Sequence, residues 1–288
     1  MVSNEKESNE ESFLNVFKKV FSGISIDSVK KNSYRLPPER EIANDLQNFY
    51  SRAEINYHMR RLRDSGVIES RRGDGNYLVD NISKAVTNSL ETSLEQLKYL
   101  NYLSVNEIKE ARKFFEISVY EYWTFLPCDD QAIIISELQF RANQMKKLYT
   151  KHESELNKEK KEELIDCIID KDIEFHKIIG EIANTNLLNI FINAISELQQ
   201  NEIRDFWLKS SNEKKSILIN DHFDIVKALE KSQNLNKQYK EQLSYTTILK
   251  KLKKPEHIEK KEIEELEIIE KVKNDYYLAI ANHYIDLY

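Results

Sequence analysis

Four side chains in this chain could share one metal ion. Asp172-Ile173-Glu174-Phe175-His176 sets a carboxylate and an imidazole four residues apart. On a helix such residues lie on one face about 5–6 Å apart, within reach of a common ion. His222 opens the apolar run HFDIVKAL, and His283 lies in the closing segment DYYLAIANHYIDLY. One carboxylate and three imidazoles form a nitrogen and oxygen donor set suited to a divalent metal, zinc first, with nickel or manganese as alternatives. By itself a D-x-x-x-H spacing is common by chance, and a lone histidine on such a helix is more often a satisfied core residue. His257 competes with His283 for the fourth place. If 255–287 is one helix, the two stand about 39 Å apart at 1.5 Å per residue and cannot serve one site. Catalysis at such a metal would need a general base beside an open coordination position. Glu174 lies on the wrong side of its helix for that, so the chain reads as a non-enzyme, with metal-dependent catalysis as an alternative. His58 and His152 read as surface or domain-contact residues.

A second group of side chains is basic and lies in residues 36–79. LPPEREIANDL (36–46) reads as a short helix opened by prolines, with Ile42, Ala43 and Leu46 inward; QNFY (47–50) is a turn. Ser51-Arg52-Ala53-Glu54 has the form of a capping box, in which the Ser hydroxyl accepts from a first-turn amide and Glu54 reaches back. A second helix follows to about Asp64, with Ile55, Met59 and Leu62 inward and Arg52, Glu54, Asn56, Tyr57, Arg60, Arg61 and Arg63 outward. Gly66 ends it. Residues 67–72 and 76–79 read as two strands joined by Gly73-Asp74-Gly75. Helix, turn, helix and hairpin make a winged helix, whose second helix can enter a major groove.

The elements that must position these groups are mostly helices. The 288 residues include only 5 Gly and 4 Pro, so few turns are marked. Residues 12–23 place Phe13, Leu14, Phe17, Val20 and Phe21 on one helical face. A polar connection at about 80–92 precedes amphipathic runs near 93–103, 106–125, 130–150, 160–184, 186–208 and 213–232. Residues 250–272 are dense in charge but keep an apolar seam, and a helix is expected from about Pro255 to the end. The net charge is −6, yet residues 12–80 carry 12 Lys and Arg against 9 Asp and Glu. That local excess matters because phosphate attraction is screened within about 10 Å. No run of eighteen apolar residues is present, so no transmembrane helix is expected. The start, MVSNEKESNEES, lacks the apolar core of a signal peptide. Cys128 and Cys167 have neither metal nor redox spacing, which suits reduced thiols in a cytoplasmic protein.

Segment 36–79 resembles the DNA-binding domain of the GntR family of regulators. The likeness rests on Leu36-Pro37-Pro38-Glu39-Arg40-Glu41-Ile42-Ala43, then Ser51-Arg52-Ala53-Glu54-Ile55, Arg61-Leu62, Gly66-Val67-Ile68 and Gly73-Asp74-Gly75 in order. It implies that Arg40 and Arg52 contact DNA. Ser51, Asn56, Tyr57 and Arg61 beside them, and Arg72, Gly73 and Gly75 in the wing, complete the expected DNA-binding set. The departures are a turn two residues longer, Pro38 in place of the capping Ser, Asn56 in place of a recognition-helix arginine, and Asp74, whose charge would repel phosphate. Asn56 could instead pair with adenine.

From about 98 to 288 the chain is similar to the FCD effector domain of the FadR-type subgroup. The marks are Arg112…Glu116, Asp172…His176, Asn184-Thr185-Asn186-Leu187-Leu188, His222…Leu229 and His283. The resemblance implies that Asp172, His176, His222 and His283 bind a divalent metal, and that the metal helps hold a small organic acid. It favours His283 over His257, because the sequence around His283 matches the family's last helix. Arg112 could pair with the far end of the acid or with Glu116. About 60 residues separate His222 from His283 where the family has little over twenty, so 233–273 reads as an insertion.

The resulting expectation is a mainly α chain: a disordered tail at 1–11, a winged helix-turn-helix with a small β-hairpin wing at 12–80, a linker and helix start at 81–97, and an all-α bundle at 98–288. The expected function is a ligand-responsive transcription regulator that binds double-stranded operator DNA as a homodimer, without a membrane partner. A metal sensor, in which the ion is itself the signal, is the alternative.

Overall fold

The computed structural model describes residues 9–21, 34–45, 50–183, 185–238 and 260–286. It divides into two compact units, Met1–Ser93 and Leu94–Tyr288.

The first unit is a winged helix. Its described elements are α1 (Asn9–Phe21), α2 (Glu39–Asp45), α3 (Arg52–Asp64), β1 (Ile68–Arg71) and β2 (Gly75–Leu78). The helices enclose a small core of Val16, Val20, Ile42, Ile55, Met59 and Leu62, closed by Leu36, Ile68 and Leu78. Two expectations change here. Helix α1 begins at Asn9, so the last residues of the expected disordered tail are helical. The buried face of α1 carries Val16 and Val20, while Leu14 and Phe17 remain exposed. Leu46 and most of the turn 47–50 lie outside the described residues. Strands β1 and β2 pair antiparallel with Ile68 opposite Leu78 and Arg71 opposite Gly75. The chain before α2 adds to this hairpin: Leu36 donates to the Asn76 carbonyl and Leu78 to that of Tyr34, both at 2.8 Å. Gly66 ends α3 with a φ of +71°, a left-handed conformation that glycine adopts without steric cost.

The supposed polar connection at 80–92 is helical. Helix α4 spans Ile82–Tyr99, started by Asn81, whose side chain accepts from the Lys84 amide at 2.8 Å. Such an Asn cap satisfies a first-turn amide that the helix itself cannot.

The second unit holds α5 (Val105–Trp123), α6 (Cys128–Ser154), α7 (Lys158–Glu181), α8 (Asn186–Leu198), α9 (Gln200–Lys209), α10 (Asn212–Gln238) and α11 (Lys260–Asp286). Helix α6 packs on α7 and α10, α10 on α11, and α11 on α5. They bury one core that includes Trp123, Leu138, Phe175, Trp207, Tyr276 and Tyr284. The run expected as one helix at 186–208 is two, broken at Gln199, whose side chain is buried. Within the expected insertion, α10 continues to Gln238 and α11 is described from Lys260; Pro255 and His257 lie outside the described residues. No described helix is long and apolar enough to cross a membrane.

Replacing Gly66 with alanine should destabilise the winged-helix unit by about 1 kcal/mol, because an alanine there must hold a positive φ, which its Cβ disfavours. Space does not oppose it, since the nearest atom to such a Cβ is the Ala85 Cβ at 3.6 Å. Denaturant unfolding of the variant checks this; an unchanged midpoint would contradict the strain.

Candidate metal centre and nucleic-acid interface

Three helices bring the expected metal ligands together. Helix α7 supplies Asp172 and His176, α10 supplies His222 and α11 supplies His283. All four are buried, and one ligand atom from each lies within 4.8 Å of the others. Asp172 Oδ1 is 2.9 Å from His222 Nε2 and 4.0 Å from His176 Nε2. His176 Nε2 is 3.1 Å from His283 Nε2. A tetrahedral ion with bonds of about 2.0–2.1 Å separates its ligand atoms by roughly 3.3–3.5 Å, so these spacings bracket the geometry required.

The outer hydrogen bonds decide which ring nitrogens face inward. His176 Nδ1 donates to Glu116 Oε2 at 2.9 Å, and His222 Nδ1 donates to the Leu218 carbonyl at 2.8 Å. With those protons placed outward, both Nε2 atoms carry lone pairs. The His222 lone pair then meets a carboxylate oxygen with no proton between them. The remaining groups are no better satisfied: Asp172 Oδ2 and His283 Nδ1 are buried with no hydrogen-bond partner. Inward lone pairs around one point, with orphaned polar atoms beside them, are relieved by a cation. The residues therefore fit a divalent metal.

Charge supports the same conclusion. Burial lowers His176, and it lowers His283 strongly, with His222 and His176 adding to the shift. His176 and His283 are thus held neutral, as metal ligands must be, and a metal-bound His222 would be neutral as well. With them neutral, Arg112, Glu116 and Asp172 leave one net negative charge in the buried cluster.

Behind the ligands, Glu116 on α5 is the common acceptor. Its Oε1 takes hydrogen bonds from Arg112 Nε and the Tyr284 hydroxyl, each 2.9 Å. Arg112 also donates to Gln199 Oε1 at 2.8 Å. The Arg112–Glu116 pair is therefore formed, and Arg112 is not open to solvent. Its Nη2 and the Gln199 Nε2 nevertheless remain buried without partners. The break between α8 and α9 is what delivers Gln199 to this point. Sequence reading missed Gln199 because a single apolar period runs through 186–208. Glu174, outside the ligand cluster, pairs with Arg141 and Lys171.

His58 and His152, expected as surface or domain-contact residues, are both buried, which removes the surface alternative. His58 follows Ile55 by three residues and precedes Leu62 by four, so it sits on the core face of α3. That spacing was a readable signal.

In the winged helix, Ser51 caps α3 as expected: its amide donates to Glu54 Oε2 at 2.7 Å and its hydroxyl accepts from the Glu54 amide at 3.3 Å. Arg52, Asn56 and Tyr57 are exposed along α3, and Arg61 is half-buried. Arg40 on α2 and Arg72 in the wing are exposed. Arg71 and Arg63 are occupied, Arg71 by Glu69 at 2.6 Å and Arg63 by Glu39 at 2.9 Å. Gly73 and Gly75 hold positive φ values at the wing tip. Glu39, which sequence reading passed over, joins three elements: Asn56, Arg63 and Asn76 all donate to its carboxylate, at 3.0, 2.9 and 3.2 Å. Asp74, expected to repel phosphate, is compensated within the wing. It accepts from the Tyr77 hydroxyl at 2.6 Å and lies 3.6 Å from the Arg35 guanidinium.

Among solved structures, the chain is similar to one described as Streptococcus agalactiae GntR. The two share 16% identity, the match covers 96% of this chain and 97% of that chain, and the TM-score is 0.53. At this identity the likeness is one of fold. No family model matches the chain, and no curated protein matches it.

The titrations give a sign that can be checked without metal. An unfolded histidine titrates near 6.5, whereas folded His176 and His283 titrate lower. Below pH 6.5 the unfolded chain therefore binds more protons, so stability present above that pH is lost as the pH falls. Glu116 and Asp172, also lowered, extend the loss further into acid. The chelator-treated protein should show a Tm for the helical unit that falls steadily from pH 7 to 5. A flat Tm across that window would contradict the buried neutral imidazoles.

Proposed function

We propose that this chain is a ligand-responsive transcription regulator of the GntR type, in the FadR-like subgroup with an FCD-type effector domain. It binds operator DNA as a homodimer through the winged helix. It binds a divalent metal, zinc first, through Asp172, His176, His222 and His283. The observation that carries the reading is the convergence of these four ligands, drawn from three helices and spread over more than a hundred residues of sequence, in a chain whose other unit is a winged helix.

On the DNA side, α3 with Ser51, Arg52, Asn56, Tyr57 and Arg61 enters the major groove, and Arg40 holds phosphate beside it. Arg40, Arg52, Arg60 and Arg72 are exposed and form no ion pair among the described residues, so their charge is available to phosphates. The wing contributes Arg72 and the backbone at Gly73 and Gly75. Because Arg35 offsets part of the Asp74 charge and Tyr77 turns the carboxylate inward along the wing, Asp74 does not bar the wing from the DNA backbone. Glu39 fixes Asn56 and the return strand of the hairpin in one arrangement, which sets the recognition surface before DNA arrives.

On the effector side, the metal supplies an electropositive point at which an organic acid is held. Three imidazoles and one carboxylate close a tetrahedral ion, so carboxylate oxygens enter when the ion takes five or six ligands, as nickel and manganese readily do and zinc can. The unpartnered donors on Arg112 and Gln199 favour an organic ligand in addition to the ion, because an ion alone leaves them unsatisfied. An acid also balances charge: a divalent ion turns the cluster's single negative charge into a single positive one, which one carboxylate cancels. The reading is of a binding protein and not of an enzyme, since Glu174 is committed to Arg141 and Lys171 and is no general base.

Two measurements test this. Duplexes selected from a random-sequence pool should bind with an affinity that falls steeply with salt, with a log–log slope of about −0.9 per phosphate contacted. Arg52→Ala should weaken that binding about tenfold or more. Salt-independent binding, or indifference to Arg52→Ala, overturns the DNA reading. His176→Ala with His222→Ala should abolish tight zinc uptake by calorimetry; undiminished metal content rejects the site.

A further inference from the structure

We propose that Glu39 makes Asn56 a reader of adenine: it holds the Asn56 amide in the orientation that pairs with the major-groove edge of adenine and mismatches guanine. The inference rests on the DNA reading above and deepens it by naming a base that the recognition helix selects.

Asn56 stands where a base contact belongs. Arg52, Asn56, Tyr57 and Arg60 are exposed on α3, while Ile55, His58, Met59 and Leu62 face the core. Arg52 and Arg60 lie one turn to either side of Asn56, about 6 Å of helix rise each. Both are exposed and have no acid partner among the described residues. Phosphates can therefore hold the helix on either side, with Asn56 toward the base edges between them.

An asparagine amide normally turns over at little cost, exchanging its acceptor oxygen for its donor nitrogen. Here one orientation is enforced. Asn56 Nδ2 donates to Glu39 Oε2 at 3.0 Å, and a carboxylate only accepts. The turned amide would set Oδ1 against that carboxylate oxygen, acceptor against acceptor. Glu39 is itself held in place, because its Oε1 accepts from Arg63 Nη1 at 2.9 Å and from Asn76 Nδ2 at 3.2 Å. Asn76 is oriented in turn, since its Oδ1 accepts from the Ser70 hydroxyl at 2.5 Å. Although burial opposes it, the donors around Glu39 hold its carboxyl below the ordinary range, so it is ionised and purely an acceptor at neutral pH.

After one Nδ2 hydrogen goes to Glu39, Asn56 keeps Oδ1 and a second N–H. Neither has another partner among the described residues. An acceptor beside a donor complements adenine, which presents its N6 donor and N7 acceptor in the major groove. Guanine presents two acceptors, O6 and N7, one of which would meet Oδ1. Cytosine and thymine each present a single matching group. The orientation set by Glu39 thus separates the two purines.

Duplexes are selected from a random-sequence pool with the full-length chain and its variants, and the base preference is compared position by position. The parent should select a half-site with an A·T pair whose exchange for G·C weakens binding about tenfold. Asn56→Ala should flatten the preference at that position. Glu39→Gln, which can donate as well as accept, should let the Asn56 amide turn and shrink the preference for A over G there severalfold. A purely structural role for Glu39 would instead lower affinity for all sequences alike. Because Asn56 is exposed, its variant keeps the test valid should Glu39→Gln fold poorly. A G·C pair at the responding position, no position that responds to Asn56→Ala, or full discrimination in a folded Glu39→Gln overturns the proposal. Where the parent binds and Arg52→Ala weakens it, these outcomes bear on Asn56 and Glu39 alone. A parent that binds no duplex overturns the DNA reading and this proposal together.

Discussion

The buried carboxylate of Glu116 is the constraint around which the helical unit is organised. A carboxylate with no exposure must have its charge met inside the protein, and here one residue is met from three directions by Arg112, His176 and Tyr284. Tyr276 adds a hydrogen bond to the Glu116 backbone carbonyl at 3.0 Å. Helices α5, α7 and α11 are therefore tied to one point by charge-assisted hydrogen bonds as well as by apolar contact. The consequence for function is the tautomer of His176. Because its Nδ1 proton is engaged by Glu116, its Nε2 lone pair faces Asp172 and His283. The Leu218 carbonyl, one turn earlier on α10, does the same for His222. Metal affinity in this account is thus a property of the outer partners as much as of the ligands.

The winged helix uses the same device at its surface. Glu39 is a partly exposed carboxylate that gathers Asn56, Arg63 and Asn76 from α3 and β2. Burial alone would push it up, but the hydrogen bonds from Arg63, Asn76 and Asn56 hold it below the ordinary carboxylate range. It removes Arg63 from the pool of free cations and orients Asn56. The basic side chains thus fall into two classes that composition cannot separate. Arg35, Arg63 and Arg71 serve the fold, whereas Arg40, Arg52, Arg60 and Arg72 stand exposed without acid partners among the described residues.

Legibility in the sequence followed the range of the interaction. Local rules served well: the Ser51 capping box, the glycine at the end of α3, the antiparallel hairpin and the i, i+4 pairing of Asp172 with His176 are set by neighbours in the chain. His222 and His283 stand out in the sequence only as candidate ligands, and it is the packing of α7, α10 and α11 that brings them to Asp172. What escaped depends on contacts across the fold. Glu39 reads as one acid in a charged helix start until its three donors arrive from elsewhere. Gln199 hides inside a continuous apolar period and becomes informative only where the helix breaks to bring it to Arg112. His58 lies on the core face that its spacing from Ile55 and Leu62 marks, a phase that its polar residue type conceals. The polar letters of 80–92 concealed a helix for a similar reason, since Asn81 is a cap and Thr87 is buried with its hydroxyl donating to the Ser83 carbonyl.

The central claim is that outer hydrogen bonds aim the lone pairs of His176 and His222, beside His283 and the Asp172 carboxylate, at a single cation. Anomalous diffraction at the zinc edge, from crystals of the zinc-loaded full-length chain, tests it most directly. The account predicts one strong peak bonded to His176 Nε2, His222 Nε2, His283 Nε2 and an Asp172 oxygen at about 2.0–2.2 Å, with the Nδ1 contacts to Glu116 and Leu218 intact. A peak located elsewhere, or rings turned so that Nδ1 faces the ion, would contradict it.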